Sequence, residues 1–372
     1  ASKNNLSLNF KNPFKNLTVN DNYENISWYL TVLTRWFDYN DTFLAKEWAH
    51  PSDNFGSIYS YFYKNKNFKF NDFTNALTKA YEIQGSLCLG TSLNKLGYDH
   101  VFFVKLASGS VFSNLVNNGD INAIRRTVNN ILLDGPSLRA YRHFPNVGKR
   151  KSWAAADASR RGIELSIISS YQDEIYESVQ NENKWGFESS FLDNSKIKFG
   201  KDLNNWVIQN ILFKVLFPAE FHGQSAVEAA IELSEEFNKN INKFEKVNIF
   251  THEPAIRIIS NKDVLKNASD RDHSMEYMVA AALLYGELKY EMYEESFEGF
   301  ENINNLRKKI FISEEPQFTK DYYEFSKRYI SNSIEIVYKD NSTSEKITIE
   351  NPIGHPSRRE EAIPLLKDKF LR

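Results

Sequence analysis

Residues 217–250 read FPAEFHGQSAVEAAIELSEEFNKNINKFEKVNIF, and two different periods meet inside them. Ala226, Val227, Ala230 and Ile231 recur at three- and four-residue steps, so one helical face is apolar and a helix is expected over 225–238. Further on, Lys246-Val247-Asn248-Ile249-Phe250 alternates polar with apolar, as a half-buried strand does. The texture of the chain therefore changes at Pro218.

Upstream of that point the periodicity is helical. Ile26, Tyr29, Leu30, Leu33 and Phe37 predict a helix over 23–37. Phe73, Ala76, Leu77, Ala80 and Ile83 predict another over 73–87 with Asp72 as its N-cap, and a third is expected over 153–169 capped by Ser152. Residues 1–20 are polar and read as a lead-in without structure of their own. Downstream, an Ala-rich helix is expected over 275–293. Ser333-Ile334-Glu335-Ile336 and Lys346-Ile347-Thr348-Ile349 then flank Asp340-Asn341-Ser342 as a hairpin. The expected fold class is mainly α: a large helical part followed by a smaller α+β part.

Composition bounds the function. The chain has 372 residues, 41% of them hydrophobic, which is ample for a real core. No apolar run approaches the ~20 residues of a membrane helix, so no membrane partner is expected. The formal net charge is −2, which gives no nucleic-acid footprint at whole-chain level; an anionic ligand must be held by a local basic cluster. Cys88 is the only cysteine, so neither an internal disulfide nor an iron–sulfur cluster is available, and Cys88 is expected as a small buried hydrophobe. No HxxxH or HExxH spacing occurs, so no metal site is expected. The polar, Asn- and Lys-rich start shows no secretory leader, and the expected compartment is the cytoplasm, or the mitochondrial matrix in a fungal source.

Five stretches concentrate polar chemistry. Asp38, Asp41, Thr42 and His50 fall just beyond a predicted helix end, where loops carry function. Asp99 and His100 precede the apolar run Val101-Phe102-Phe103-Val104. Residues 139–151 read RAYRHFPNVGKRK, with five cations and no acid, and run into a predicted helix N-terminus that favours anions. Asp270-Arg271-Asp272-His273-Ser274 leads into the Ala-rich helix, with Tyr277 one turn inside it, and residues 354–361 supply Arg358 and Arg359.

The same stretches carry a resemblance. WFDYNDT with HPSDN, SLNKLGYDHVFFVK, DGPSLRAYRHFPN, RKSWAAADASRRG, FPAEFHGQSAVEAA, DRDHSMEYMVAAALLYG and PIGHPSRREEAIPLL resemble, in order, the motifs of the MmgE/PrpD family, in its 2-methylcitrate dehydratase branch. The match runs from about residue 27 to residue 368. The resemblance implies an all-helical domain, 1–213 with 353–372 returning to it, closed by an α+β lid, 214–352. It implies catalysis without metal or organic cofactor, a homodimer, and active-site residues at Asp38, Thr42, His50, His100, Lys151 and Tyr277. Lys214 lies one position from a lid lysine of some relatives and stays outside that set. Family members carry further helices before the WFDYNDT region and continue past the point equivalent to Lys369, so a shortened member is expected.

The implied reaction removes water from a small tricarboxylate, 2-methylcitrate. The proton lost lies alpha to a carboxylate, so a base and concentrated positive charge are both required. His100 or His50, oriented by Asp38, is the expected proton carrier. Lys151 is expected to bind a carboxylate, Tyr277 to meet the leaving hydroxyl, and Arg142, His143, Lys149, Arg358 and Arg359 to hold the substrate's charge. The competing readings are citrate dehydration, cis-aconitate decarboxylation, iminodisuccinate epimerisation, and a truncated non-catalytic paralogue that binds a partner.

Overall fold

The computed structural model describes residues 22–142, 146–261, 264–324 and 326–371. The first half is a helical assembly: α1 (Tyr23–Arg35), α2 (Phe55–Lys64), α3 (Phe70–Gly90), α4 (Val101–Val116), α5 (Ile121–Asp134) and α6 (Arg150–Ser169). Helix α4 is apolar nearly all round and buried along most of its length, so it forms the axis on which α3, α5 and α6 pack. Gly109 of α4 meets Gly162 of α6 where the two cross. A Cβ on Gly162 would stand 2.7 Å from the Lys105 carbonyl, so only glycine permits this approach. Short hydroxyl side chains line neighbouring seams: Ser27 and Thr31 of α1 bond Ser159 of α6, and Ser57 bonds Ser108.

The second half surrounds a four-stranded sheet of order β2-β1-β3-β4, built from β1 (Phe244–Thr251), β2 (Ile310–Glu314), β3 (Asn332–Tyr338) and β4 (Ile347–Ile349). β1 runs parallel to β2 and antiparallel to β3, with Ile249 opposite Ile312 on one side and Ile334 on the other. The Gln224–Lys239 and Met275–Tyr285 helices cover the sheet, and Val227, Ala230, Ile249, Met278 and Ile334 belong to one core. A separate core joins Phe43, Leu87, Phe102, Phe103, Ile131 and Leu165 in the helical half. The mainly α class with a smaller α+β part, the strand at 246–250 and the antiparallel pairing of the 333–336 and 346–349 segments agree with the sequence reading.

Three expectations are corrected. The helix expected over 275–293 stops at Tyr285, because Gly286 takes φ +66° and caps it through its N–H to Ala282; Tyr290–Tyr293 is a separate single turn. Asp72 is not the N-cap of its helix but lies inside the first turn, where its carboxylate accepts the Lys69 N–H. Ser152 likewise lies inside α6, because the Lys151 and Ser152 N–H groups already bond Gly148 and Lys149. Residues 1–20 lie outside the described residues.

The two halves meet close to the loop after α1. The Thr42 and Leu212 backbones bond each other both ways, at 2.9 and 2.8 Å, Tyr39 donates to the Val215 carbonyl at 2.7 Å, and Phe213 bonds Gly354.

Candidate active site

Helix α1 ends at Arg35, and three residues on Asp38 adopts φ +48°. That left-handed turn is uncommon for a non-glycine residue, although aspartate tolerates it better than most. It folds the carboxylate back to 3.3 Å from Arg35 and presents it to Lys214, whose Nζ donates to Oδ2 at 2.6 Å and to the Asp38 carbonyl at 2.8 Å. Burial would raise this acid, but Lys214, then Arg35, Lys151 and His273, hold it well below the usual carboxylate range. Arg35 also reaches toward Asp53, at 3.6 Å. Burial lifts Asp53 to about 7 against the pull of Arg35, so the same guanidinium is flanked by an ionised carboxylate and by one that shares its proton with solvent near neutral pH.

The histidines stand at the starts of two helical turns. His50 precedes the Pro51–Asn54 turn and His100 precedes α4, with ring centroids 6.0 Å apart. His50 Nδ1 is 2.7 Å from the Asp41 carbonyl, which can only accept, so Nδ1 carries the proton and Nε2 keeps its lone pair. The Thr42 hydroxyl sits 3.4 Å from the same nitrogen. His100 Nδ1 faces the Asp99 carboxylate at 3.3 Å, and its buried Nε2 has no hydrogen-bond partner among the described residues. Burial, then Arg35, lowers His50 well below the ordinary imidazole range. Burial lowers His100 likewise, with Asp99 opposing and Arg142 and Arg139 assisting. Both rings are therefore neutral near pH 7 and able to accept a proton at Nε2.

Lys151 comes from the first turn of α6 and crosses to the other half of the molecule. Its Nζ lies 2.8 Å from Asp272 Oδ1 and 2.7 Å from His273 Nδ1. Arg142 donates from Nε to Asp99 at 2.5 Å and again from its terminal nitrogen at 3.3 Å. Around this segment Arg142 and Arg150 lie over the Tyr141 ring and Arg150 also over Trp153.

The structure thus brings Asp38, Thr42, His50, His100, Lys151 and Arg142 into one charged cluster, and corrects several expected roles. Asp38 bonds neither His50 nor His100; the carboxylate 3.3 Å from His100 Nδ1 is Asp99, while Asp38 is engaged by Lys214 and Arg35. Tyr277 does not reach the cluster. It is fully buried in the core of the sheet-bearing half, its hydroxyl donates to the Met292 carbonyl at 2.6 Å, and its ring stacks on Tyr293. The cause is local: Ser274 caps the helix through the Tyr277 N–H, and apart from Glu276 that helix is apolar and buried from Met275 to Leu283, so Tyr277 is placed within packed core. Lys151 and Arg142, expected to grip substrate, are held by Asp272 and Asp99. Arg358 is bound by Glu228 and Glu361, and Arg359 bonds the Gln209 and Ile211 carbonyls over Phe213; neither joins the cluster. Lys149 is exposed at the start of α6, and His143 lies outside the described residues. The sequence motifs do not single out Arg35, Asp99, Asp272 or His273 as site residues, and they leave Lys214 one position outside the set. Asp99 and the Asp272-His273 pair stood inside motifs already quoted, whereas Arg35 reads as an ordinary basic residue in the last turn of a helix.

Among the described residues no helix is long and apolar enough to cross a membrane, and no three His, Cys, Asp or Glu side chains are placed to hold a metal ion. The MmgE/PrpD N-terminal domain matches residues 22–200, and the MmgE/PrpD C-terminal domain matches residues 217–372. The 2-methylcitrate dehydratase of Escherichia coli (strain K12) is 41% identical over 351 residues, covering 91% of this chain and 72% of its own length. That of Cupriavidus necator is 39% identical over the same shares. The mitochondrial 2-methylcitrate dehydratase of Yarrowia lipolytica is 39% identical over 354 residues, 92% of this chain and 68% of its own. With both domains matched in order and the charged cluster formed where they meet, the chain belongs to the MmgE/PrpD family, among its 2-methylcitrate dehydratase-like carbon–oxygen lyases.

Proposed function

We propose that the protein dehydrates 2-methylcitrate to 2-methyl-cis-aconitate, without metal or organic cofactor. The observation that carries this reading is a buried imidazole, His100, with the Asp99 carboxylate 3.3 Å from Nδ1, an Nε2 unpartnered among the described residues, and a dense group of cations around it. His100 Nε2 takes the proton alpha to a carboxylate, and Asp99 stabilises the imidazolium that forms. The developing aci-carboxylate is a dianion, and Arg35, Lys214 and Lys151 supply the positive charge that lowers its energy. With the Tyr277 hydroxyl bonded to Met292, protonation of the departing hydroxyl falls to the Lys151–His273 pair. Substrate carboxylates reach Lys151 and Lys214 by exchanging with Asp272 and Asp38, which hold those ammonium groups in the structure described here.

The test is to incubate the purified protein separately with 2-methylcitrate, citrate and cis-aconitate, before and after EDTA treatment, following alkene absorbance and released CO2. Growth of absorbance with 2-methylcitrate, unaffected by EDTA, is the expected result. Turnover of citrate alone, release of CO2, or activity recovered only on adding a metal would replace this reading with another.

A further inference from the structure

The last helix, Arg359–Leu371, is mostly exposed; Phe370 and Leu371 are 89% and 80% accessible, and Ala362 is its one buried residue. Against that background Lys369 behaves differently from its neighbours. Its side chain turns inward, and Nζ donates to the carbonyl oxygens of Tyr39 and Lys214, each at 2.8 Å. The ammonium also lies 3.3 Å from the centroid of the Tyr39 ring. These are the residue after Asp38 and the lysine that bonds Asp38.

We infer that Lys369 is a positioning residue: it clasps the two backbone segments that carry Asp38 and Lys214, and so fixes how that ion pair faces the site. The inference rests on the proposed function for what the pair does, but the clasp is a matter of geometry. Going round it, the Asp38 carboxylate meets Lys214 Nζ, the Lys214 carbonyl meets Lys369 Nζ, and Lys369 Nζ meets the Tyr39 carbonyl, one peptide from Asp38. Tyr39 Oη on the Val215 carbonyl reinforces the same joint from the side. The segments are far apart in sequence, and Lys369 joins them with both bonds from one atom. An ammonium is suited to this, having several donors and no acceptor. Its placement is electrostatically costly: burial and then Lys214 push Lys369 down to about 7, with Asp41 opposing. The two hydrogen bonds and the ring contact offset that cost, and all three fall on the backbone joint that carries Asp38 and Lys214, which is the placement a positional constraint requires.

The experiment compares wild type, Lys369→Met, Lys369→Ala and the exposed control Lys367→Met by kinetics on 2-methylcitrate and by hydrogen exchange. Lys369→Met should lower kcat at least about tenfold, the scale of loss expected when reacting groups are misplaced, while Lys367→Met should not. Exchange should speed up in peptides covering 36–42 and 211–217 and stay unchanged in 275–285. Butylammonium added to Lys369→Ala should restore activity, and butanol should not. Wild-type kinetics in Lys369→Met, or faster exchange throughout the chain, would overturn the clasp. Should wild type turn over no tricarboxylate, the proposed function fails on its own; the exchange pattern then decides the clasp.

Discussion

In the proposed reaction His100 must start uncharged to take a proton, and its surroundings favour that state. Burial and the nearby arginines depress it, while the Asp99 carboxylate 3.3 Å from Nδ1 favours the proton on that nitrogen and leaves Nε2 as the base. General base work is worth roughly 10²–10⁴-fold, so His100→Gln should lower kcat by that order while leaving the fold intact by circular dichroism. The acid limb of the wild-type profile should lie below the ordinary histidine value of about 6.5. The same depression makes a stability statement. A group that binds its proton less tightly folded than unfolded contributes stability present above the unfolded pKa and lost as pH falls below it. The melting temperature should therefore decline from about pH 6.5 downward, and His100→Gln should make that decline shallower. A decline unchanged in the variant would assign it to other groups. At this scale the sequence was informative about which residues gather and poor about who pairs with whom. Asp38, His50, His100 and Lys151 stood in recognisable motifs, but that Asp99 rather than Asp38 faces His100 depends on the turn that sends Asp38 toward Arg35. Tyr277 was legible as a helix residue, and only packing reveals that its hydroxyl is already used.

Among the elements, α6 matters most, since it carries Lys151 at one end and packs on α1, α4 and α5 along its length. Its approach to α4 relies on Gly162, where a methyl group would stand 3.0 Å from the Gly109 nitrogen as well as 2.7 Å from the Lys105 carbonyl. Both neighbours are backbone and neither can swing aside. Gly162→Ala should thus cost about 1–3 kcal/mol despite alanine's better helix propensity, a loss readable as a lower denaturation midpoint. A neutral or stabilising result would mean that the helices separate freely. The helices over 23–37, 73–87, 153–169 and 225–238 were legible because one face of each is apolar. Their ends were less so, because the caps are set by backbone bonds such as Lys151 to Gly148. β2 escaped notice for a different reason: Ile310–Glu314 is short, has a burial pattern with one fully buried position, and is paired with β1 only in three dimensions.

Across the whole molecule, the Lys151–Asp272 pair bridges the helical half to the sheet-bearing half, with both side chains largely buried. Breaking such a pair from one side leaves an uncompensated charge, at a cost of about 3–5 kcal/mol, whereas removing both partners together can be nearly neutral. Lys151→Met should therefore destabilise strongly and abolish turnover. Adding Asp272→Leu should recover the stability without the activity, a separation that chemical denaturation and the alkene assay would read on the same samples. If the double variant is as unstable as the single one, the bridge is not what couples the halves. The order of strands has its own consequence, in time rather than space. β1 leaves the ribosome first and becomes an interior strand, yet its parallel neighbour follows on the order of 60 residues later, and its antiparallel neighbour later still. Through that interval both of its hydrogen-bonding edges are open, so the nascent chain is most exposed to misassociation after β1 emerges and before β3 does.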